Sequence, residues 1–240
     1  LTPGTKYQQE KGSLMKRSEI NQIMRDALEF AESNGFRLPP FVRWTPGDWL
    51  SKGHEYDEIR DCMLGWDITD FGSGAYFKTG LLMITLRNGS YRLAQYAKPY
   101  AEKLLISGEG QVTPCHFHWN KVEDIIVRGG GNLLVQVYNA TDDDRLADTP
   151  VEVFVDGLRK TVEPGAVVRL TPGESITLPS RQYHSFRGEE GFGKVLVGEV
   201  SRVNDDRSDN RFLEPAGRFP QIQEDEKPLH LLYTEYPSAP

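Results

Sequence analysis

Gly110–Gly130 reads GQVTPCHFHWNKVEDIIVRGG, and the rest of the chain is organised around it. His116 and His118 are two apart. In an extended strand, such residues point to one face, so both imidazoles can reach one ion. Glu123 follows His118 at a distance that lets a short turn return its carboxylate to that face. Two nitrogens and an oxygen suit a borderline divalent metal such as Mn, Fe, Co, Ni or Zn. A fourth ligand is expected further along, and His184 in PSRQYHSF is the candidate.

Working outward, the texture from Tyr76 onward is β. Leu81–Arg87 is a short apolar run followed by Asn88–Gly89, which predicts a hairpin turn. Further strands are expected at Glu102–Ser107, Asp124–Val127, Asn132–Tyr138, Ala166–Leu170, Ser175–Leu178, Tyr183–Arg187 and Lys194–Val200. Val151–Val155 and Leu158–Val162 flank Asp156–Gly157, a second hairpin signal. Many short strands with Gly or Pro-Gly turns predict a sandwich or closed barrel. No helical pattern follows residue 80, which argues against a doubly wound fold.

Before the strands, Ser18 is a candidate N-cap, and Ile20, Ile23, Met24, Ala27, Leu28 and Ala31 form a stripe at helical spacing. Asn34–Gly35 supplies the stop. Leu38–Lys52 is rich in proline and aromatics and reads as an irregular segment wrapped over a core. Its Trp44 is suited to packing and is also a candidate to stack on a ligand. Residues 1–14 show no periodicity and read as an extension or expression remnant. One domain is expected over 15–240: a helix with a wrapping segment (15–80), a barrel core (81–203) and a C-terminal wrapping segment (204–240). Leu229–Tyr236 could add a strand there.

Composition narrows the partners. The chain carries 28 basic and 35 acidic residues, for a net charge of −7. No basic stripe exists to neutralise phosphates, which disfavours nucleic acid. No apolar run approaches transmembrane length. Cys62 and Cys115 are the only cysteines, too few for a disulfide scaffold, and a reducing cytoplasm is expected.

The opening stretch meets every fixed position of the first cupin motif, G-x5-H-x-H-x4-E-x6-G, from Gly110 to Gly130. The second motif is largely present: Gly173, Pro179, Arg181 where glycine is usual, His184, and Gly188 where asparagine is usual. The fold expected is therefore mostly β, a cupin jelly-roll barrel with an N-terminal helix and flanking irregular segments. Only five histidines occur, and three occupy motif positions. Four protein ligands on a six-coordinate ion leave two adjacent positions, enough to chelate neighbouring oxygens of a sugar, an oxalate or a catechol. The site alone leaves isomerisation, dioxygenation and decarboxylation open.

The wider chain resembles the bacterial D-lyxose isomerase family, through MKRSEINQIMRDALEFAESNGFRLPPFVRWTPGDWLSKG, CMLGWDITDFGSG, HFHWNKVEDIIVRGGG and NRFLEPAGRFPQIQEDEKP. The resemblance implies a metal-dependent aldose–ketose isomerase, best served by Mn2+, with Co2+, Zn2+, Ni2+ or Fe2+ as alternatives. It would interconvert D-lyxose with D-xylulose and D-mannose with D-fructose, as a homodimer. It implies that Lys121 is an active-site lysine, its pKa lowered by the nearby cation. It also implies a C-terminal glutamate near the metal: Glu214, with Glu199 the alternative. Trp44, Phe117, Trp119, Arg181, Asp206, Asn210 and Arg211 are candidates to hold sugar hydroxyls. The competing readings are an Fe-dependent cupin dioxygenase, a non-catalytic sugar-binding cupin, and a sugar phosphate isomerase. The last would need a cationic cradle that the motif does not supply.

Overall fold

The computed structural model describes residues 14–206, 208–218 and 220–240; of the leading stretch read as an extension, 1–14, residues 1–13 lie outside the described residues, while Leu14 opens a strand paired with Gln221. In chain order the elements are β1 (Leu14–Lys16), α1 (Arg17–Ser33), α2 (Pro46–Trp49), α3 (Asp57–Asp61), β2 (Gly65–Thr69), β3 (Leu81–Arg87), β4 (Tyr100–Ser107), β5 (Val112–His118), β6 (Glu123–Gly130) and β7 (Leu133–Asn139). They continue with β8 (Val151–Val155), β9 (Leu158–Val162), β10 (Val167–Leu170), β11 (Ser175–Leu178), β12 (Gln182–Gly188), β13 (Val195–Arg202), β14 (Asn210–Phe212) and β15 (Gln221–Gln223).

The strands form a five-stranded sheet, β10-β7-β12-β5-β14, an eight-stranded sheet, β2-β3-β4-β13-β6-β11-β8-β9, and a parallel pair, β1-β15. Neighbours in each sheet are mostly distant in sequence, as in a jelly roll. One core cluster includes Val127, Leu133, Val135, Val137, Val153, Ile176 and Val197, drawn from both sheets. A second includes Ile20, Met24, Ala27 and Ala31 of α1 with Leu82, Ile84, Leu104, Ile106 and Leu196 of the large sheet. β3 is therefore covered on both faces, Leu81 and Met83 entering the first cluster and Leu82 and Ile84 the second, which is why LLMI is apolar throughout instead of alternating. Each such side chain, fully buried, contributes about 1.5–3 kcal/mol.

Several expectations need correction. Ser18 does not cap α1: the helix starts at Arg17, and the Ser18 amide and hydroxyl both donate to Asp225, at 2.9 and 2.7 Å. An aspartate from the tail thus supplies the anion at the helix N-terminus. Asn88–Gly89 is not a tight hairpin, because β4 begins only at Tyr100. The Asn88 amide is buried and donates to the Cys62 and Asn204 carbonyls, so it ties the tail to the barrel. Asp156–Gly157 is a two-residue turn as expected, with φ of 49° and 80°. β2 is a strand that the sequence reading did not foresee: it is short and lies within 15–80, the span read as a helix with a wrapping segment. Leu229–Tyr236 adds no strand; Leu232 makes a single bridge to Trp66, and a 3-10 turn follows.

Cys62 and Cys115 are both free. Among the described residues, no helix is long and apolar enough to cross a membrane.

Candidate metal centre and active-site cavity

His116 and His118 end β5 in the small sheet, whereas Glu123 begins β6 in the large one. The chain crosses between the sheets through residues 119–122, so donors from both sheets converge inside the barrel. β12 runs antiparallel to β5, with His184 opposite His116. That register brings the fourth residue in. Gly130, which closes the first motif, has φ 75°, and a Cβ there would meet the Lys194 carbonyl oxygen at 2.4 Å. Arg181 replaces the usual glycine yet keeps the left-handed conformation, φ 61°. Its amide donates to the His118 carbonyl at 2.9 Å.

His116, His118 and His184 are buried, and their ligand atoms lie within 4.8 Å of one another. His116 Nδ1 is 2.8 Å from the Pro114 carbonyl, and His184 Nδ1 is 3.1 Å from that of Gln182. A carbonyl only accepts, so both Nδ1 atoms carry the proton and leave a lone pair on Nε2. Glu123 Oε1 stands 3.3 Å from His118 Nε2 and 3.2 Å from His184 Nε2. Among the described residues, the buried His118 Nδ1 and His184 Nε2 have no hydrogen-bond partner. Burial, with His184 and His118 nearby, pushes His116 well below the usual histidine range. Burial also lowers His118, with Lys121 adding to the effect. Neutral imidazoles with unsatisfied nitrogens beside a carboxylate are a donor set that fits a divalent metal.

A chain of alternating charges leads away from this centre. Lys121 Nζ lies 2.7 Å from Glu123 Oε2 and 2.9 Å from Glu199 Oε1. Lys103 Nζ lies 3.5 Å from Glu199 and 3.0 Å from Asp206. Arg218 reaches Asp206 at 3.4 Å and pairs with Asp67. Burial works to lower Lys121, but Glu123, Glu199 and Asp206 outweigh it and hold the ammonium well above the ordinary lysine value. Three carboxylates surround the ammonium, so the fall expected at Lys121 would have to come from the bound cation itself.

Of these groups, all but His184 and Asp67 line one cleft. Phe71, Leu81, Met83, Leu105, Phe186 and Phe212 make one part of its wall apolar. Lys103, Lys121, Glu199, Asp206, Asn210 and Arg218 make the other part polar. Apolar faces beside a few placed polar groups suit a small polyol.

The structure sorts the other candidate residues by strand parity. Asn210 pairs with His118, Arg211 with Phe117 and Phe212 with His116. Asn210 and Phe212 therefore share the inner face, and Arg211 and Phe117 share the outer one. Phe117, Trp119 and Arg181 form a stack outside the barrel, with the Arg181 guanidinium 5.3 Å from each ring and paired with Asp144. Trp44 packs against Phe41, Trp49 and Tyr56. None of these five (Trp44, Phe117, Trp119, Arg181, Arg211) lines the cleft. Glu214 is exposed and also absent from its wall, because β14 stops at Phe212 before alternation can carry it inward. Glu199, the alternative, is 3% exposed and points into the cleft.

Sequence reasoning missed Lys103 and Arg218. Lys103 had a signal: it shares parity with Leu105 in an apolar strand, so it must face the core. Arg218 had none, since it reaches the cleft from an irregular tail.

The profile of the D-lyxose isomerase family matches residues 15–236. A protein of Serratia proteamaculans named D-lyxose/D-mannose isomerase is 52% identical over 92% of this chain and 98% of its own length. One of the same name from Escherichia coli O157:H7 is 48% identical over the same shares. Among solved structures, Acinetobacter sp. DL28 L-ribose isomerase in complex with L-ribose aligns with a TM-score of 0.58 at 16% identity, over 89% of this chain and 99% of that one. Cellulomonas parahominis L-ribose isomerase with L-ribose aligns with a TM-score of 0.55 at 19% identity, over 89% and 100%. These structures share the fold, a cupin-type barrel.

Proposed function

The chain belongs to the D-lyxose isomerase family, and on that premise we propose that it is a divalent-metal-dependent aldose–ketose isomerase interconverting D-lyxose with D-xylulose and D-mannose with D-fructose. One observation carries the reading for this chain: the Lys121–Glu199 pair, at 2.9 Å, lines the same cleft as His116, His118 and Glu123, with His184 clustered beside those histidines. Acid–base groups beside a donor set suited to a metal support catalysis, since a purely binding site does not require them.

Isomerisation removes a proton from C2 of the aldose, delivers one to C1, and exchanges protons between O1 and O2. When bound by His116, His118, His184 and Glu123, the metal supplies Lewis-acid polarisation of the sugar oxygens. Glu199 is the group assigned to the carbon-bound proton, taking it from C2 and returning it to C1. Lys121, a buried ammonium, is assigned to donate toward the oxygen on which negative charge develops. Asn210 and Asp206 are assigned to the sugar hydroxyls, and the apolar wall excludes water from the reacting carbons.

The preferred metal is proposed to be Mn2+, which an N3O donor set accepts and which the family resemblance favours. A homodimer is proposed on the same resemblance, to be checked by light scattering. The two free cysteines support a cytoplasmic setting. Unphosphorylated substrates are favoured because Lys103, Lys121 and Arg218 are each already paired with carboxylates. A phosphate entering the cleft would meet Glu199 and Asp206 first.

The test is an assay on chelator-stripped protein with D-lyxose, D-mannose and D-fructose, with and without Mn2+. Interconversion restored by metal is expected. No ketose from either aldose after metal is restored would defeat the proposal, and oxygen consumption with Fe2+ would favour the dioxygenase reading.

A further inference from the structure

Residues 119–122 join the two sheets directly between His118 and Glu123. A turn that leaves one sheet for another has backbone amides with no ladder partner, and buried amides need acceptors. Here three consecutive amides find them on a single residue. Trp119 N donates to the Asp209 carbonyl at 3.0 Å. Asn120 N donates to Asp209 Oδ1 at 2.9 Å, and Lys121 N to Asp209 Oδ2 at 3.0 Å. The Asn120 side-chain amide adds a fourth bond to Oδ1 at 3.0 Å.

Asp209 is itself 9% exposed and contributes nothing to the cleft wall. It immediately precedes β14, whose Asn210 and Phe212 do enter the cleft. The same tail touches Lys121 a second time, since Asn204 Oδ1 accepts from Lys121 Nζ at 3.3 Å. Lys121 is thus held at its backbone by Asp209 and at its ammonium by Glu123, Glu199 and Asn204. His118 and Glu123 are held differently, each within a strand ladder. Losing Asp209 would release the turn while leaving the ligands in register.

We infer that Asp209 is a positioning residue for Lys121: its carboxylate clamps the amides of the inter-sheet turn and so fixes where the ammonium stands in the cleft. An anion with two oxygens suits the task, since converging backbone amides form an anion-binding concavity. Asn in its place would turn an NH2 toward one of those amides, setting donor against donor. Reacting groups displaced by about 1 Å lose on the order of a hundredfold in rate.

The activity part of the test rests on the isomerase reading, and a wild-type protein without isomerase activity would defeat that reading alone. Asp209→Asn, Asp209→Ala, Lys121→Ala and the double variant Lys121→Ala/Asp209→Asn are compared with wild type. In metal-free protein, amide hydrogen exchange at Asn120 and Lys121 should speed up in Asp209→Asn relative to amides of β5 and β6. With metal, kcat should fall by about 10–100-fold while KM changes by less than about threefold and bound metal stays stoichiometric. The double variant should be no slower than Lys121→Ala, because the two residues act as one unit. Unchanged exchange at those amides would overturn the inference whatever the activity. So would a kcat within about twofold of wild type, a loss of activity that tracks lost metal, or multiplying effects in the double variant.

Discussion

Lys121, from the turn after β5, donates to Glu199 of β13 across 2.9 Å inside the barrel. The two residues are 78 apart in sequence. Glu199 also accepts from Ser201 at 3.1 Å. The pair therefore arrives oriented before any substrate does.

Glu199→Gln should lower kcat by at least about a hundredfold, the usual scale for a lost general acid–base group, with metal content retained. Glu214→Gln should stay within about twofold of wild type, since surface substitutions rarely disturb chemistry. Steady-state kinetics with metal analysis on both variants checks this, and the reverse ranking would return the role to Glu214.

His184→Ala should abolish stoichiometric metal binding at micromolar Mn2+ by removing one of the donors that meet at Glu123. Elemental analysis after dialysis reads the outcome. Wild-type metal content in this variant would remove His184 from the ligand set.

Strand parity predicts a contrast between adjacent residues. Asn210→Ala, on the inner face, should raise KM for D-lyxose by about 5–50-fold, the scale of one or two lost hydrogen bonds. Arg211→Ala and Trp119→Ala, which do not line the cleft, should leave KM within about twofold. Equal effects from Asn210 and Arg211 would mean that the strand presents the other face.

Asp206 is predicted to shape stability in acid. Burial works to raise its pKa, but Lys103, Arg218 and Lys121 outweigh it and hold the carboxyl well below the usual range. An Asp with a depressed folded-state pKa contributes stability above its unfolded value of about 3.9, and loses it as pH falls below that toward the folded pKa. Metal-free wild type should therefore lose Tm steeply below about pH 4. Asp206→Asn should start lower at neutral pH and show a shallower acid limb. Parallel limbs in thermal melts would show that Asp206 is not responsible.

The histidine spacing, the glutamate after the turn and the apolar periods of the strands were legible because each depends on local geometry. Strand parity shows itself every second residue, and it sets Phe117, one residue from His116, on the face away from the cleft. The same rule could have assigned Lys103. It has no hold on Glu214, an expectation drawn from the family resemblance, because that residue lies beyond the end of β14. The hairpin expected at Asn88 failed for a different reason: Asn88 bonds to Cys62 and Asn204 carbonyls across the fold. The acceptor for the first-turn amide of Ser18 in α1 is Asp225, near the other end of the chain.

By itself the sequence determined the β-barrel class, the N-terminal helix and the donors His116, His118, Glu123 and His184 as one set, since spacing and side-chain chemistry suffice for these. Only the tertiary structure decided which acid faces those donors, that Lys103 and Arg218 extend the charge chain, and that Asp209 holds the turn. Those relations join residues from opposite sheets and from an irregular tail. Their contacts follow from how the sheets close and where the tail crosses them, and no local period encodes either.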